Sequence, residues 1–208
     1  MARLFVLAHG AGAPSSSPWM QRYREALQRL GEVVSFDYDY ASAGRRMPDR
    51  LPRLIERHHQ VLRDALRPHH QSVILVGKSM GSRVGCHLSL RAHVDALVCL
   101  GYPLRGAGPR APIRDQILRE LRTPVLFIQG TRDALCPLEL LNAVRTQMEA
   151  PNQLFFVESG DHSLLCTRAY LRRVNQTQQQ VEAQIIDRID TFLRSLDSDP
   201  TVRTSLSS

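Results

Sequence analysis

The chain has 208 residues, of which 43% are apolar and 23% are charged, values that are typical of a globular protein and exclude a wholly disordered one. Its length fits one domain, and no apolar run approaches the roughly 20 residues that a membrane-spanning helix needs, so a soluble protein is expected. The net charge of +7 comes from 26 arginines and one lysine that are spread along the chain without a tract of five basic residues, so no specific nucleic-acid site is expected.

Strand-like and helix-like segments alternate along the chain. Apolar runs predict six buried strands, at residues 4–8, 33–36, 73–76, 96–100, 124–129 and 154–157. Segments with helical spacing predict helices at residues 19–30, 51–66, 79–90, 113–121, 138–148 and 181–196. Gly31 is placed to end the first helix. Because the strands are apolar on both faces, we expect a mostly parallel, doubly wound α/β sheet with helices on both faces.

The predicted elements make up one domain over residues 1–196. Residues 167–180 are polar and rich in glutamine, which predicts a surface excursion, and residues 197–208 predict a disordered tail. The apolar start of the chain lacks a signal-peptide cleavage site, and the four cysteines form neither a CxxC pair nor a metal-ligand spacing. We therefore expect a cytoplasmic protein, and the sequence does not indicate its oligomeric state.

The most specific motif is Gly-Lys-Ser-Met-Gly at residues 77–81, between the third predicted strand and the helix that follows it. G-x-S-x-G in this context is typical of a nucleophile elbow, in which a sharp turn projects the serine above the sheet. Ser79 is then the nucleophile, and Gly77 and Gly81 are needed because the backbone passes close to itself. The alternative is a glycine-flanked turn in which the serine only caps a helix.

Three further segments accompany this elbow, namely HGAG at 9–12, GTRD at 130–133 and GDH at 160–162. Together with the elbow they resemble the α/β-hydrolase superfamily, and more narrowly its small lidless branch of dienelactone-hydrolase-like enzymes. That branch also includes a testis-expressed protein and a subunit of the nuclear NSL acetyltransferase complex. The resemblance covers residues 4–196 and implies an α/β-hydrolase fold with a minimal lid. One departure is Ser82, where the branch carries a third glycine.

A serine nucleophile needs a histidine base and an acid, which follow it in the order Ser, Asp or Glu, His in this fold. His162 is the only histidine after Asp133. Both residues follow predicted strands, and the carboxyl ends of such strands converge on one crevice. Asp161 is the rival acid, but it is adjacent to His162 and poorly placed to reach its ring. Among the earlier histidines, the pairs His58-His59 and His69-His70 are expected to be solvated, and His87 and His93 need no function.

The oxyanion formed by an attacked carbonyl needs two backbone N–H donors. The resemblance implies Met80 as one of them and the loop after the first strand as the other, with Ala11 favoured and Gly12 second. Lys78, the one lysine, is expected to form a structural ion pair or a contact at the rim of the site, and a Ser–Lys dyad is less favoured. Cys136 and Cys166 either line the pocket or are inert thiols.

The implied reaction is the hydrolysis of an ester or related acyl compound through an acyl-enzyme on Ser79. The expected partner is a small-molecule acyl substrate, and neither a metal nor an organic cofactor is required. The connection between the fourth and fifth strands has only about twenty residues, too few for a large lid domain. The alternative is a catalytically silent scaffold or interaction protein that has kept the hydrolase fold.

Overall fold

The computed structural model of the protein describes residues 1–106, 108 and 111–198. Six strands form one sheet, namely β1 Arg3–Ala8, β2 Glu32–Phe36, β3 Ser72–Lys78, β4 Ala96–Leu100, β5 Val125–Gly130 and β6 Asn152–Val157. Within the described residues eight helices connect or follow them, namely α1 Pro18–Leu27, α2 Asp39–Ser42, α3 Leu51–Ala65, α4 Met80–Ser89, α5 Gln116–Glu120, α6 Leu138–Arg145, α7 Arg168–Arg173 and α8 Gln178–Asp197.

The sheet is parallel throughout, with the strand order β2-β1-β3-β4-β5-β6. The chain moves from β1 outward to β2 and then returns to the other side of β1 for β3. The strand order therefore reverses between β1 and β3, and such a reversal leaves a crevice beyond the carboxyl ends of these strands. Ser79 directly follows β3, so it lies at this crevice.

Helices cover both faces of the sheet, and each face has its own apolar core. Leu4 and Val6 of β1 face the layer that includes α3 and α4. Phe5 and Leu7 face the opposite layer, which includes α1 and α8. This alternation of buried residues explains why the strand reads as continuously apolar. The predicted α/β-hydrolase architecture, a doubly wound sheet with helices on both faces, is confirmed.

Two predicted details near the start of the chain are wrong. The first helix ends at Leu27 rather than at residue 30, because the chain tightens into a turn in which the Leu30 amide donates to the Leu27 carbonyl at 2.8 Å. Gly31 does not end that helix. A Cβ on it would lie 2.5 Å from the Arg3 carbonyl oxygen, so glycine is required there by the close approach to β1. The short helix α2 was not predicted.

The later helices also differ from prediction at their ends. Helix α5 begins at Gln116 rather than at residue 113, because Ile113 instead forms an isolated β-bridge with Arg105. The polar excursion contains α7, and its last three residues already belong to α8. There Thr177 and Gln180 form a capping box, which starts the helix three residues before the predicted position.

The predicted tail is only partly described. Asp197 closes α8 and accepts a hydrogen bond from Arg3 Nη2 at 2.6 Å, so this residue belongs to the folded part of the chain. Residues 199–208 of the predicted tail lie outside the described residues.

Candidate active site

Ser79 occupies a strained turn between β3 and α4. Its backbone angles are φ 51° and ψ −114°, in the left-handed half of the map that non-glycine residues rarely adopt. A Cβ on Gly77 would collide with the backbone of Ser82, and a Cβ on Gly81 would lie 2.5 Å from the Ala8 carbonyl oxygen. Strand and helix therefore meet too closely at this turn for any residue but glycine at these two positions.

Ser82 stands where the family resemblance implies a third glycine. Its side chain is buried, and its Oγ donates to the Ser79 carbonyl at 2.6 Å. The Ser82 backbone N–H donates to the same oxygen at 3.0 Å. The serine thus fits this position and adds a second bond that ties the first turn of α4 to the backbone of Ser79.

The side chains of Ser79, His162 and Asp133 form a hydrogen-bonded chain. His162 Nε2 lies 2.7 Å from Ser79 Oγ, and His162 Nδ1 lies 2.7 Å from Asp133 Oδ2. Since a carboxylate only accepts, Nδ1 carries the ring proton and leaves Nε2 free to accept from the serine hydroxyl. Residues from the ends of β3, β5 and β6 are thereby brought together, and the imidazole can accept the hydroxyl proton.

The Asp133 carboxylate is buried and fully hydrogen-bonded. Its Oδ1 accepts from the Leu135 backbone N–H at 2.8 Å, and its Oδ2 accepts from Gln129 Nε2 as well as from His162. Gln129 is itself fully buried near the end of β5. Sequence reasoning missed this residue, although an amide inside the apolar run VLFIQG was a usable signal. These donors fix the carboxylate that faces His162.

Asp161, the rival acid, has other partners. Its Oδ1 accepts from the backbone N–H groups of Ser163 at 2.7 Å and Leu165 at 3.0 Å. Its carboxylate therefore shapes the loop that carries His162, and no hydrogen bond joins it to the imidazole in the described chain. The contact with Nδ1 belongs to Asp133.

Two side chains hold the backbone of the histidine loop. Lys78 Nζ donates to the His162 carbonyl, and Trp19 Nε1 donates to the Ser163 carbonyl at 2.8 Å. The Lys78 ammonium also lies 5.5 Å from the centroid of the Trp19 ring, within the range of a cation–π contact. Lysine and tryptophan thus fix successive carbonyls next to the imidazole.

The sequence-based expectation for Lys78 was wrong. The residue is only 9% exposed, and no carboxylate in the described part of the chain lies within ion-pair distance of it, so it forms neither a rim contact nor an ion pair. Burial lowers the pKa of Lys78 to about 8, against the opposing effect of the charges on Asp133 and Asp161. The position of Trp19 above the ammonium explains part of this burial.

The backbone N–H groups of Ala11 and of Met80, which directly follows Ser79, have no protein acceptor within the described residues. Gly10 adjoins the nucleophile, because a Cβ on it would lie 3.3 Å from Ser79 Cβ. The Gly10 carbonyl accepts from His9 Nδ1 at 2.6 Å. The peptide is trans, so the Ala11 N–H points away from that bond. Neither of these N–H groups is used within the described residues, so both are free to donate to another group.

Gly12, the second candidate in that loop, is exposed. A Cβ built on it meets no atom within 4 Å, so no close approach requires glycine at this position. The histidine that opens the loop is buried, and its Nε2 accepts from the Tyr38 backbone N–H at 3.2 Å. Burial lowers the pKa of His9, which favours the neutral ring that both of its hydrogen bonds require.

His58 is not solvated, contrary to expectation. It is fully buried on α3 between the rings of Phe36 and Tyr38, and burial lowers its pKa to about 3. Cys136 is also buried, which raises its pKa to about 12, and Cys166 donates from Sγ to the Glu158 carbonyl at 3.3 Å. The two thiols have the environments of inert cysteines.

In the described part of the chain, one group of residues has the composition of a metal site: Glu32, His69 and His70. It lies where β2 begins and just before β3. His70 Nδ1 accepts from the Arg67 backbone N–H at 3.0 Å, so Nε2 carries the proton that faces Glu32 at 3.0 Å. A ring nitrogen that bears a proton cannot ligate a metal, so this arrangement is a histidine–carboxylate pair.

None of the helices in the described chain is long and apolar enough to span a membrane.

Comparison with known proteins places the chain in a family. A family model described as an alpha/beta hydrolase domain matches residues 1–194. Among solved structures, Est1E from Butyrivibrio proteoclasticus, with ferulic acid bound, is 16% identical and has a TM-score of 0.65 over 91% of this chain and 90% of that chain. An α/β serine hydrolase without a lid, XC6422 from Xanthomonas campestris, is 16% identical, with a TM-score of 0.66 over 93% of this chain and 81% of that one.

A further similar structure is an α/β serine hydrolase homologue from Coxiella burnetii, with 17% identity and a TM-score of 0.66 over 88% of this chain and 84% of that one. At such identities the solved structures show a shared fold. The family model, however, matches nearly the whole described sequence. The chain therefore belongs to the alpha/beta hydrolase domain family.

Proposed function

We propose that this protein is a serine hydrolase that cleaves an ester or related acyl substrate. The observation that carries the proposal is the unbroken hydrogen-bonded chain from Ser79 through His162 to Asp133. It lies beside two backbone N–H groups, those of Ala11 and Met80, that have no acceptor within the described residues. A nucleophile, a base, an orienting acid and oxyanion donors are the parts that acyl transfer requires.

In the first half of the proposed reaction, Ser79 Oγ attacks the substrate carbonyl carbon while its proton passes to His162 Nε2. The carbonyl oxygen becomes an oxyanion that accepts from the N–H groups of Met80 and Ala11. When the tetrahedral intermediate collapses, the bond to the leaving alcohol breaks and His162 returns the proton to that alcohol. An acyl-enzyme ester on Ser79 remains.

In the second half, water replaces the alcohol. His162 takes a proton from the water as its oxygen attacks the acyl carbon, and the proton then passes to Ser79 Oγ as the acid product leaves. Asp133 stabilises the imidazolium that forms in each half. Its carboxylate is held by Gln129 and by the Leu135 N–H, so it does not need to reorganise during the reaction.

The substrate class is proposed from the environment of Ser79. Among its described residues, the connection between β4 and β5 contains one short helix, α5 of five residues, and no lid domain. This supports assignment to the small lidless branch. A similar structure is described as a serine hydrolase without a lid, and another binds ferulic acid, a small acid with an aromatic acyl group. We therefore propose small or readily accessible acyl substrates.

Labelling with a fluorophosphonate probe tests the proposal. Such probes react with activated serine nucleophiles, so peptide mapping should find stoichiometric modification of Ser79, with hydrolysis of p-nitrophenyl acetate in parallel. Ser79→Ala should abolish both. Its matched control is Ser89→Ala at the other end of α4. The Ser89 hydroxyl only donates to the Cys86 carbonyl, so this variant should retain both probe labelling and hydrolysis.

The size of the loss matters as well. Removing the nucleophile of a serine protease lowers kcat about a million-fold, so residual turnover in Ser79→Ala should be close to background. If wild-type protein neither reacts with the probe nor hydrolyses any ester of a broad panel, the alternative function, a catalytically silent scaffold, is favoured. In that case Ser79→Ala would leave the binding of a partner unchanged.

A further inference from the structure

A group of two arginines and one histidine lies outside the residues assigned to acyl transfer. Arg83 and His87 stand on α4, Arg114 precedes α5, and all three line a cavity of about 270 Å³. Part of the remaining wall is apolar and consists of Leu51, Ile113 and Ile117. The cavity therefore offers guanidinium groups beside apolar surface, a combination that suits an organic anion.

The two arginines of the cavity have no acidic partner among the described residues. Neither Arg83 nor Arg114 has a carboxylate within ion-pair distance in the described part of the chain, although both side chains are half-buried. Asp115 is adjacent to Arg114 in sequence, but its Oδ2 pairs with Arg119 Nη2 at 2.7 Å. By contrast, the partly buried Arg3 contacts two aspartates elsewhere in the fold. Arg83 and Arg114 thus face a cavity with their charges uncompensated.

One acid, Glu120, lines the same cavity. It is exposed, and its Oε1 accepts from Gln116 Nε2 at 3.0 Å, which holds it on the surface of α5. It does not form an ion pair with His87 or with either arginine among the described residues. Local charge in the cavity is therefore net positive, with two guanidinium groups and one carboxylate at the edge.

Packing like charges together without a counter-charge has a free-energy cost. Burial lowers the pKa of Arg83, and the neighbouring charge of Arg114 lowers it further. Burial and then the charge of Arg83 likewise lower the pKa of His87. A bound oxyanion would offset this cost, and the planar guanidinium is the group best suited to carboxylate and phosphate recognition.

Ser79 is not among the residues that line the cavity, but Arg83 is, and its backbone lies close to the nucleophile. The Arg83 backbone N–H donates to the Ser79 carbonyl at 3.3 Å, so this wall of the cavity begins one helical turn beyond Ser79. We propose that Arg83 and Arg114 form a subsite for a carboxylate or phosphate group carried by the acyl substrate whose carbonyl reaches Ser79. This inference rests on the proposed function and narrows its substrate class to acyl compounds with an anionic group.

A matched pair of esters provides the kinetic test. Mono-p-nitrophenyl adipate and p-nitrophenyl hexanoate have acyl chains of equal length, but only the adipate ends in a carboxylate. Wild-type protein should prefer the adipate, and Arg83→Gln and Arg114→Gln should each lower the ratio of kcat/KM for adipate over hexanoate about tenfold, as expected for one charged hydrogen bond. Arg29→Gln, an exposed site on the other face with the same loss of charge, should leave that ratio unchanged.

A binding measurement makes the subsite testable without catalysis. In Ser79→Ala protein, inorganic phosphate should bind between Arg83 and Arg114 and thereby raise the melting temperature. This increase in melting temperature should disappear when Arg83→Gln or Arg114→Gln is added, but it should persist with Arg29→Gln. If wild-type protein hydrolyses neither ester, the proposed function fails while the phosphate measurement still decides whether the anion site exists.

The two measurements together distinguish whether the cavity binds an anionic group of the substrate or a free anion. A lower ester ratio together with lost phosphate protection supports the proposal. Lost protection with an unchanged ratio overturns the substrate role, since the site would then serve a free anion. Phosphate protection that survives equally in all variants overturns the subsite itself, because the effect would come from the overall positive charge.

Discussion

Lys78 allows a prediction in which stability and activity change in different ways. The ammonium is buried and donates to the His162 carbonyl. Burial lowers the pKa of Lys78 from the ordinary 10.5 to about 8, so the folded protein disfavours the charged form by about 3 kcal/mol. Replacement by methionine, which has a similar length and no charge, removes that cost together with the hydrogen bond.

The direction in which stability changes with pH follows from the protons that Lys78 binds in the folded and unfolded states. Below about pH 8 both the folded and the unfolded chain carry the charged lysine, and the folded state bears the whole cost. Above 10.5 the lysine is neutral in both states and the cost disappears. Relative to Lys78→Met, the wild-type free energy of unfolding should therefore rise by about 3 kcal/mol between pH 7 and 10.5.

Activity should respond differently. Without the lysine, the His162 carbonyl loses one restraint, and small misplacements of a catalytic group can cost about a hundredfold in rate. At pH 7 we therefore expect kcat for an activated ester to fall about tenfold or more in Lys78→Met. At the same pH the fold of this variant no longer bears the cost of a buried charge. Urea unfolding across the pH range and steady-state kinetics measure the two effects separately.

The chain offers a direct check, since Lys78 is its one lysine. Labelling lysine with ¹³C at the ε carbon gives a single NMR signal, whose titration reports this group alone. Arg29→Met is the control for removing a surface charge and should show no pH-dependent difference from wild type. A lysine signal that titrates near 10.5, or a Lys78→Met difference that is constant with pH, would refute the reasoning.

Other substitutions test the acid and the two glycine-rich turns. Asp133→Asn should lower kcat about 10⁴-fold, as in serine proteases, because an amide favours the wrong tautomer of His162; unchanged p-nitrophenyl acetate kinetics would rule out this orienting role. Gly81→Ala places a Cβ 2.5 Å from the Ala8 carbonyl oxygen and should lower the free energy of unfolding by about 2 kcal/mol or more. Gly12→Ala meets no atom within 4 Å and should change that free energy by less than about 1 kcal/mol in the same urea experiment, and a larger loss would contradict the open geometry of this turn.

Local patterns in the sequence were sufficient for the fold and for most of the candidate site. Strands that are apolar on both faces predict a covered parallel sheet, whatever the details of packing. The elbow is equally local, since Gly77, Ser79 and Gly81 encode one strained turn. The order of Asp133 and His162 after that serine, each just beyond a strand, placed both at one edge, because parallel strands present their carboxyl ends together.

Helix ends were predicted less well, although their signals are also local. The capping box of Thr177 and Gln180 was readable but was missed inside a polar segment. The role of Gly31, by contrast, depended on tertiary packing, because glycine is required there by the approach of Arg3 and not by helix termination.

Only the tertiary structure decided which side chains surround the candidate site. Lys78 and His162 are 84 positions apart, and Trp19 and Ser163 are 144 apart. The unpaired state of Arg83 is likewise a property of several elements that meet at one cavity. Sequence periodicity reports which face of an element is buried, whereas charge compensation depends on distances between residues that only the completed fold brings together.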